Sequence, residues 1–102
     1  MILHNGETIY LSFTSSGNLA EAPKAWVTEA VVIDAEHRIV REPEHDRVRV
    51  LSAVEGIHQC EAAAWAKCST ELAAFASAIR SEADRCATKA AKLSIHREET
   101  VL

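Results

Sequence analysis

Between residues 58 and 92 the chain contains neither glycine nor proline. Alanine, glutamate, lysine and small polar residues fill most of that run. A stretch so long, without a breaker and with that composition, is helical by intrinsic propensity. Upstream of it the period changes. Residues 8–54 alternate apolar and polar over short runs separated by turn formers, which is the signature of strands. A chain that spends its first half on strands and its second on helix is an α+β domain, an antiparallel sheet followed by helix.

The helical run carries a stripe. Trp65, Leu72, Ile79, Cys86 and Leu93 recur every seven residues. Cys68 and Phe75 supply a second apolar row in the first half. At Glu82 and Lys89 that row fails, and Ala83 and Ala90 take over the neighbouring position. The first half therefore suits packing on a sheet. The second half, with Ile79, Ala83, Cys86, Ala90 and Leu93, suits close approach by another helix, either a second copy or a partner. A helix of about 35 residues is roughly 50 Å long. It is expected either as one long helix over about 58–92 or as two, broken near Cys68-Ser69-Thr70 with Ser69 as N-cap. The polar tail 93–102 is expected to fray.

Four strands are expected ahead of it. In 8–14, Ile9, Leu11 and Phe13 share one face, with Thr8, Tyr10, Ser12 and Thr14 on the other. In 26–33, Val27, Glu29, Val31 and Ile33 alternate with Trp26, Thr28, Ala30 and Val32. Its second half is apolar on both faces, which predicts a central strand. A short strand over 38–41 and another over 47–54 flank the sequence Glu42-Pro43-Glu44-His45-Asp46. In the latter, Val48, Val50 and Val54 share a face with Ser52, and Arg47, Arg49, Leu51 and Ala53 point the other way. The sheet thus has three to four strands, and residues 1–102 form a single domain. A chain of this length buries roughly 60–65% of its unfolded surface, a modest core. Only five residues are aromatic: Tyr10, Phe13, Trp26, Trp65 and Phe75. A thin core favours a protein that hides further surface in a partner.

Histidine and carboxylates around 37–46 invite a metal or catalytic reading. The run lacks a paired His-x-His or a His-Glu-x-x-His, and no cysteine is near. Pro43 and Asp46 are turn residues, so a solvated hairpin tip is expected instead. His58-x-Cys60 has no second ligand pair to complete a metal site, and Glu61 suits the dipole of a helix's first turn. Neither a Gly-x-Ser-x-Gly nucleophile pattern nor a phosphate-cradling glycine loop is present. No catalytic residue, metal or cofactor is expected.

The formal net charge is −4. Residues 1–58 carry nine acids against five bases, and residues 59–102 carry six of each. An acidic front half argues against direct nucleic-acid binding, which needs a basic face. It favours a basic partner. Glu36, Glu42, Glu44 and Asp46 are the expected partner-binding group, held out at the hairpin tip. The first residues lack a basic, then apolar, leader pattern, and no run approaches the ~20 apolar residues of a membrane span. The three cysteines, Cys60, Cys68 and Cys86, are spaced too far apart along one helix to be bridged. Free, buried thiols and a cytoplasmic location are expected.

The stretch "RVRVLSAVEGIHQCEAAAWAKCSTELAAFA" resembles the strand, short turn and Ala-rich helix of small phage- and prophage-borne anti-CRISPR proteins. The likeness spans roughly residues 47–92. It implies a non-enzymatic inhibitor that binds a bacterial CRISPR effector. The acids of the hairpin tip would then stand in for phosphates in a basic nucleic-acid channel. Two other readings stay open at this point. One is a dimeric antitoxin-like or regulatory module joined through the Ala-rich helix. The other is a small ligand-binding protein or enzyme with a pocket under Trp26 and Trp65.

Overall fold

A computed structural model describes residues 2–52 and 56–101, with side chains placed through residue 95. Five strands form one antiparallel sheet: β1 (Thr8–Ser15), β2 (Lys24–Asp34), β3 (Ile39–Glu42), β4 (Arg47–Val50) and β5 (Gly56–His58). They lie in the order β4-β3-β2-β1-β5. A single helix, α1 (Glu61–Val101), follows. The α+β class is as the sequence implied, with one unbroken helix rather than two. The helix starts three residues later than the sequence indicated and continues past Lys92 through the segment read as tail. The chain divides into two units, residues 1–72 and 73–102.

β2 is central, as its doubly apolar second half required. It pairs with all of β1, Thr8 opposite Val31 through Ser15 opposite Lys24. Partners directly opposite share a face. Ile9, Leu11 and Phe13 therefore lie beside Ala30, Thr28 and Trp26. Ile9, Leu11, Ala30, Val32, Val40 and Leu51 are fully or almost fully buried and form the core of the sheet. Burying each of the Ile, Leu and Val side chains among them contributes about 1.5–3 kcal/mol. Leu3, Phe13, Ala35 and Ile57 pack around them.

β5 was missed in the sequence, where Glu55-Gly56 reads as the end of a strand. Ile57 sits opposite Leu11, and Gly56 opposite Ser12. A Cβ on Gly56 would collide with Ser12 Oγ. Glycine at the start of β5 thus leaves room for the Ser12 hydroxyl of the neighbouring strand. Ser12 Oγ and His58 Nε2 close the pair with a 3.0 Å hydrogen bond. The end of the fourth expected strand, Ala53 and Val54, lies outside the described residues.

β4 turns its arginines, not its valines, toward the core face. Leu51 N–H bonds Arg38 O, and Arg49 and Arg47 stand opposite Val40 and Glu42. Arg47, Arg49 and Leu51 therefore share the core face with Val40. Val48 and Val50 face outward and are 63% and 68% exposed. A slip of one residue would bury the valines but would take the arginines away from Glu42. The ion pairs of that carboxylate go with the observed register.

Within residues 1–72, Ala64 and Cys68 are the buried residues of α1. Cys68 Sγ lies 3.8 Å from the Phe13 carbonyl, and the Thr14 hydroxyl donates to Glu71. Trp65, placed on the packing stripe by its heptad spacing, is instead 47% exposed. Its indole N–H donates to Glu61 at 3.4 Å. The buried row is shifted to Ala64 and Cys68, where small side chains leave room for the sheet backbone. In the second unit, residues 76–95 are exposed on every side and Phe75 is half-buried.

Candidate functional site

The acidic residues around β3 divide into three environments. Glu36 lies in the β2–β3 turn, while Glu44 and Asp46 lie in the β3–β4 turn. The four residues of β3 separate these two ends by about 13 Å. Glu42, at the last position of β3, is 0% exposed. The single exposed acidic tip expected from Glu36, Glu42, Glu44 and Asp46 is therefore corrected. Glu36 is at the far end of the strand and Glu42 is inside. The reason is parity: Glu42 is two residues from buried Val40, so it takes the same face.

Glu42 is held there by two guanidinium groups. Arg47 Nε donates to Oε2 at 2.6 Å, and Arg49 Nε donates to Oε1 at 2.7 Å. Burial by itself would raise the carboxyl pKa. Together the hydrogen bonds and charges of Arg47 and Arg49 outweigh burial and hold it below the ordinary value. Arg49 reaches further. Its guanidinium carbon is 5.1 Å from the Phe13 ring centroid, and Phe13 stacks on Trp26 at 5.4 Å. The core face thus carries a line of Trp26, Phe13, Arg49, Glu42 and Arg47. Trp26 and Arg47 form its exposed ends.

The β3–β4 turn is built by its residue types. Pro43 opens a single 3-10 turn, Pro43–His45, and Asp46 leaves it with φ 46°, a left-handed conformation that Asp tolerates. The Asp46 N–H returns to the Pro43 carbonyl at 3.3 Å. The Asp46 carboxylate accepts from Arg41 at 3.2 Å. Glu44 is exposed. The sequence reading of a hairpin turn at Pro43–Asp46 agrees with this geometry. Among the described residues no group of three or more His, Cys, Asp or Glu side chains is placed to hold a metal ion.

The β2–β3 turn is a second, independent construction. Asp34 accepts from the His37 backbone N–H at 3.2 Å and lies 2.8 Å from His37 Nδ1. The side-chain bond, with the backbone bond next, lowers the Asp34 pKa. Arg38 is left-handed, with φ 57°. Its guanidinium donates to the carbonyls of Leu51 and Ser52. Arg38 and Arg41 thus differ: Arg41 meets the Asp46 carboxylate, while Arg38 braces the end of β4 through its backbone.

β4 is an edge strand, paired only with β3 among the described residues. Arg38–Leu51, Val40–Arg49 and Glu42–Arg47 are its hydrogen-bonded pairs by alternation from the Leu51–Arg38 bond. The N–H and C=O groups of Val48 and Val50 therefore point away from the sheet. Their side chains stand on the outer face beside Ile39 and Arg41. Ile33 is also 48% exposed. Unpaired backbone groups next to exposed valines are a template for another strand. Sequence patterning could not reveal this, because it does not say which strand lies at the edge.

Cys60 and Cys86 are exposed and Cys68 is buried, so only one of the three thiols is internal as expected. Ile79, Ala83, Cys86, Ala90 and Leu93 are all exposed in the second unit. Among the described residues no helix is long and apolar enough to cross a membrane. No protein-family model matches the chain, and no curated protein or solved structure matches it either.

Proposed function

We propose that this chain is a non-enzymatic binding protein that docks on a protein partner through the β3–β4 hairpin, adding a partner strand to the edge of β4. The observation that carries this reading is the outward placement of Val48 and Val50 together with an outer edge of β4 that no strand among the described residues pairs with. Strand addition draws affinity from main-chain hydrogen bonds and specificity from alternate side chains. The partner segment is extended and places apolar residues against Val48 and Val50. A basic residue at its end meets Glu44 beyond the 3-10 turn. Such a segment would belong to a basic protein, and a nucleic-acid-binding effector of bacterial defence, the class implied by the anti-CRISPR resemblance, is the partner class to test. The phosphate-mimicking role passes to Glu44 and Asp46, because Glu42 is spent internally on Arg47 and Arg49.

The test is binding of the purified chain to a panel of CRISPR effector complexes by biolayer interferometry. Wild type, Val48→Lys with Val50→Lys, Glu44→Lys and Glu36→Lys are compared. Loss of binding in the valine pair, weakening in Glu44→Lys and no change in Glu36→Lys support strand addition at β4. Binding that survives the valine pair removes β4 as the docking edge. Absence of binding to every effector removes that partner class.

A further inference from the structure

The helix of the second unit, residues 73–101, raises a question separate from the β4 edge. Its residues 76–95 are exposed all round. A helix takes most of its stability from packing an apolar face, and an isolated one is marginal in water. Here the apolar positions follow a strict 4-3 spacing: Ala76, Ile79, Ala83, Cys86, Ala90 and Leu93. That is a heptad with alanine at every a position and a larger residue at every d position. The two flanks differ. One carries Glu82 and Lys89, and the other carries Arg80, Ala87 and Ser94.

We infer that this helix pairs antiparallel with the same helix of a second copy, in one register. In antiparallel pairs each a residue faces a d residue. Setting Ala83 against Cys86 of the second copy places Ala90 against Ile79 and Ala76 against Leu93. Every alanine then meets a larger side chain, and each layer is filled alike. The same register brings Glu82 beside Lys89 of the second copy, and by symmetry Lys89 beside its Glu82. Opposite charges at flanking positions select partner and orientation. Glu82 accepts from Arg85 of its own helix at 2.6 to 3.1 Å and is still exposed, so its carboxylate has room for a further donor. Arg80 lies on the other flank, beside Ala87 of the second copy. A parallel in-register pair has neither property. It stacks alanine on alanine in alternate layers and sets Glu82 against Ala87 and Lys89 against Ser94.

Sedimentation equilibrium of the full chain, reduced and at low salt, tests the pairing. A dimer is expected, weakened roughly ten-fold by Glu82→Lys or by Lys89→Glu alone and restored when both are present. Ala83→Arg is expected to abolish it and to lower the helical signal in circular dichroism, while a cooperative urea transition confirms that the sheet unit remains folded. Orientation is read in a Cys60→Ser, Cys86→Ser background. Ala76→Cys chains mixed with Leu93→Cys chains are expected to form a mixed disulfide, and neither chain alone is expected to form one. A monomer at every concentration overturns the inference. So does a dimer indifferent to Ala83→Arg, a double charge swap that fails to restore pairing, or Ala76→Cys chains that cross-link to themselves.

Discussion

Arg49 donates its Nε–H to Glu42 Oε1 at 2.7 Å while its guanidinium carbon lies 5.1 Å from the Phe13 ring centroid. One side chain on an edge strand thereby ties the buried carboxylate of β3 to the aromatic pair of β1 and β2. A long apolar stem, a planar fork and a weakly hydrated cation are all needed for that span. The relationship also explains why β4 shows valines to solvent. Its inward positions are taken by the arginines that Glu42 requires.

Removing the carboxylate is the direct test. Glu42→Ala leaves two cations facing a buried cavity and is expected to cost about 3 kcal/mol or more. Glu42→Gln keeps the shape and part of the hydrogen bonding and is expected to cost about 1–3 kcal/mol. Arg49→Ala is expected to cost more than Arg47→Ala, since Arg49 is 26% exposed and Arg47 54%. Urea denaturation followed by circular dichroism ranks the four variants. Equal losses for Arg47 and Arg49 would show that the link to Phe13 adds nothing.

The same carboxylate makes stability depend on pH. Its folded pKa lies below the ordinary 4.5. A depressed carboxylate pKa contributes stability that is full above the unfolded value and is lost as pH falls through the folded value. The stability gap between wild type and Glu42→Gln is therefore expected to be constant from pH 7 to about pH 5, then to shrink steadily below about 4.5. Denaturation midpoints at successive pH values give the gap. A gap unchanged at pH 3 would mean that Glu42 titrates normally.

Two glycines with positive φ should answer differently to alanine. Gly6 has φ 83° and nothing within 4 Å of an added Cβ. Gly6→Ala is expected to cost about 1–2 kcal/mol of backbone strain. Gly17 has φ 75°, and its Cβ would lie 2.6 Å from Glu21 O and 2.7 Å from Pro23 N. Both are backbone atoms, so Gly17→Ala adds a clash to the strain and is expected to cost more. Thermal melts of both variants decide the order.

The thiols offer a kinetic readout of the helix. Cys60 and Cys86 are exposed, while Cys68 is buried beside the Phe13 carbonyl. At concentrations low enough to keep the chain monomeric, native protein is expected to react rapidly at two thiols with a thiol-exchange reagent, and at the third only on unfolding. Three fast thiols would show that the first turns of α1 come away from β1.

Local periodicity alone determined the α+β order, the central place of β2, the inward set Ile9, Leu11 and Phe13, and the hairpin turn at Pro43. Each follows from spacing within a few residues, where the periods of strand and helix differ. Tertiary structure alone decided the rest. Whether Glu42 points to water or to Val40 depends on which face of β3 the neighbouring strands cover. Whether Val48 and Val50 or Arg47 and Arg49 face inward depends on register against β3, which alternation in β4 leaves open. The short strand β5 forms because β1 offers an edge for Gly56, Ile57 and His58 to pair with, and no property of those three residues signals it. The acids expected at one tip thus separated into two turns and a buried site, and the proposed docking surface is the edge of β4.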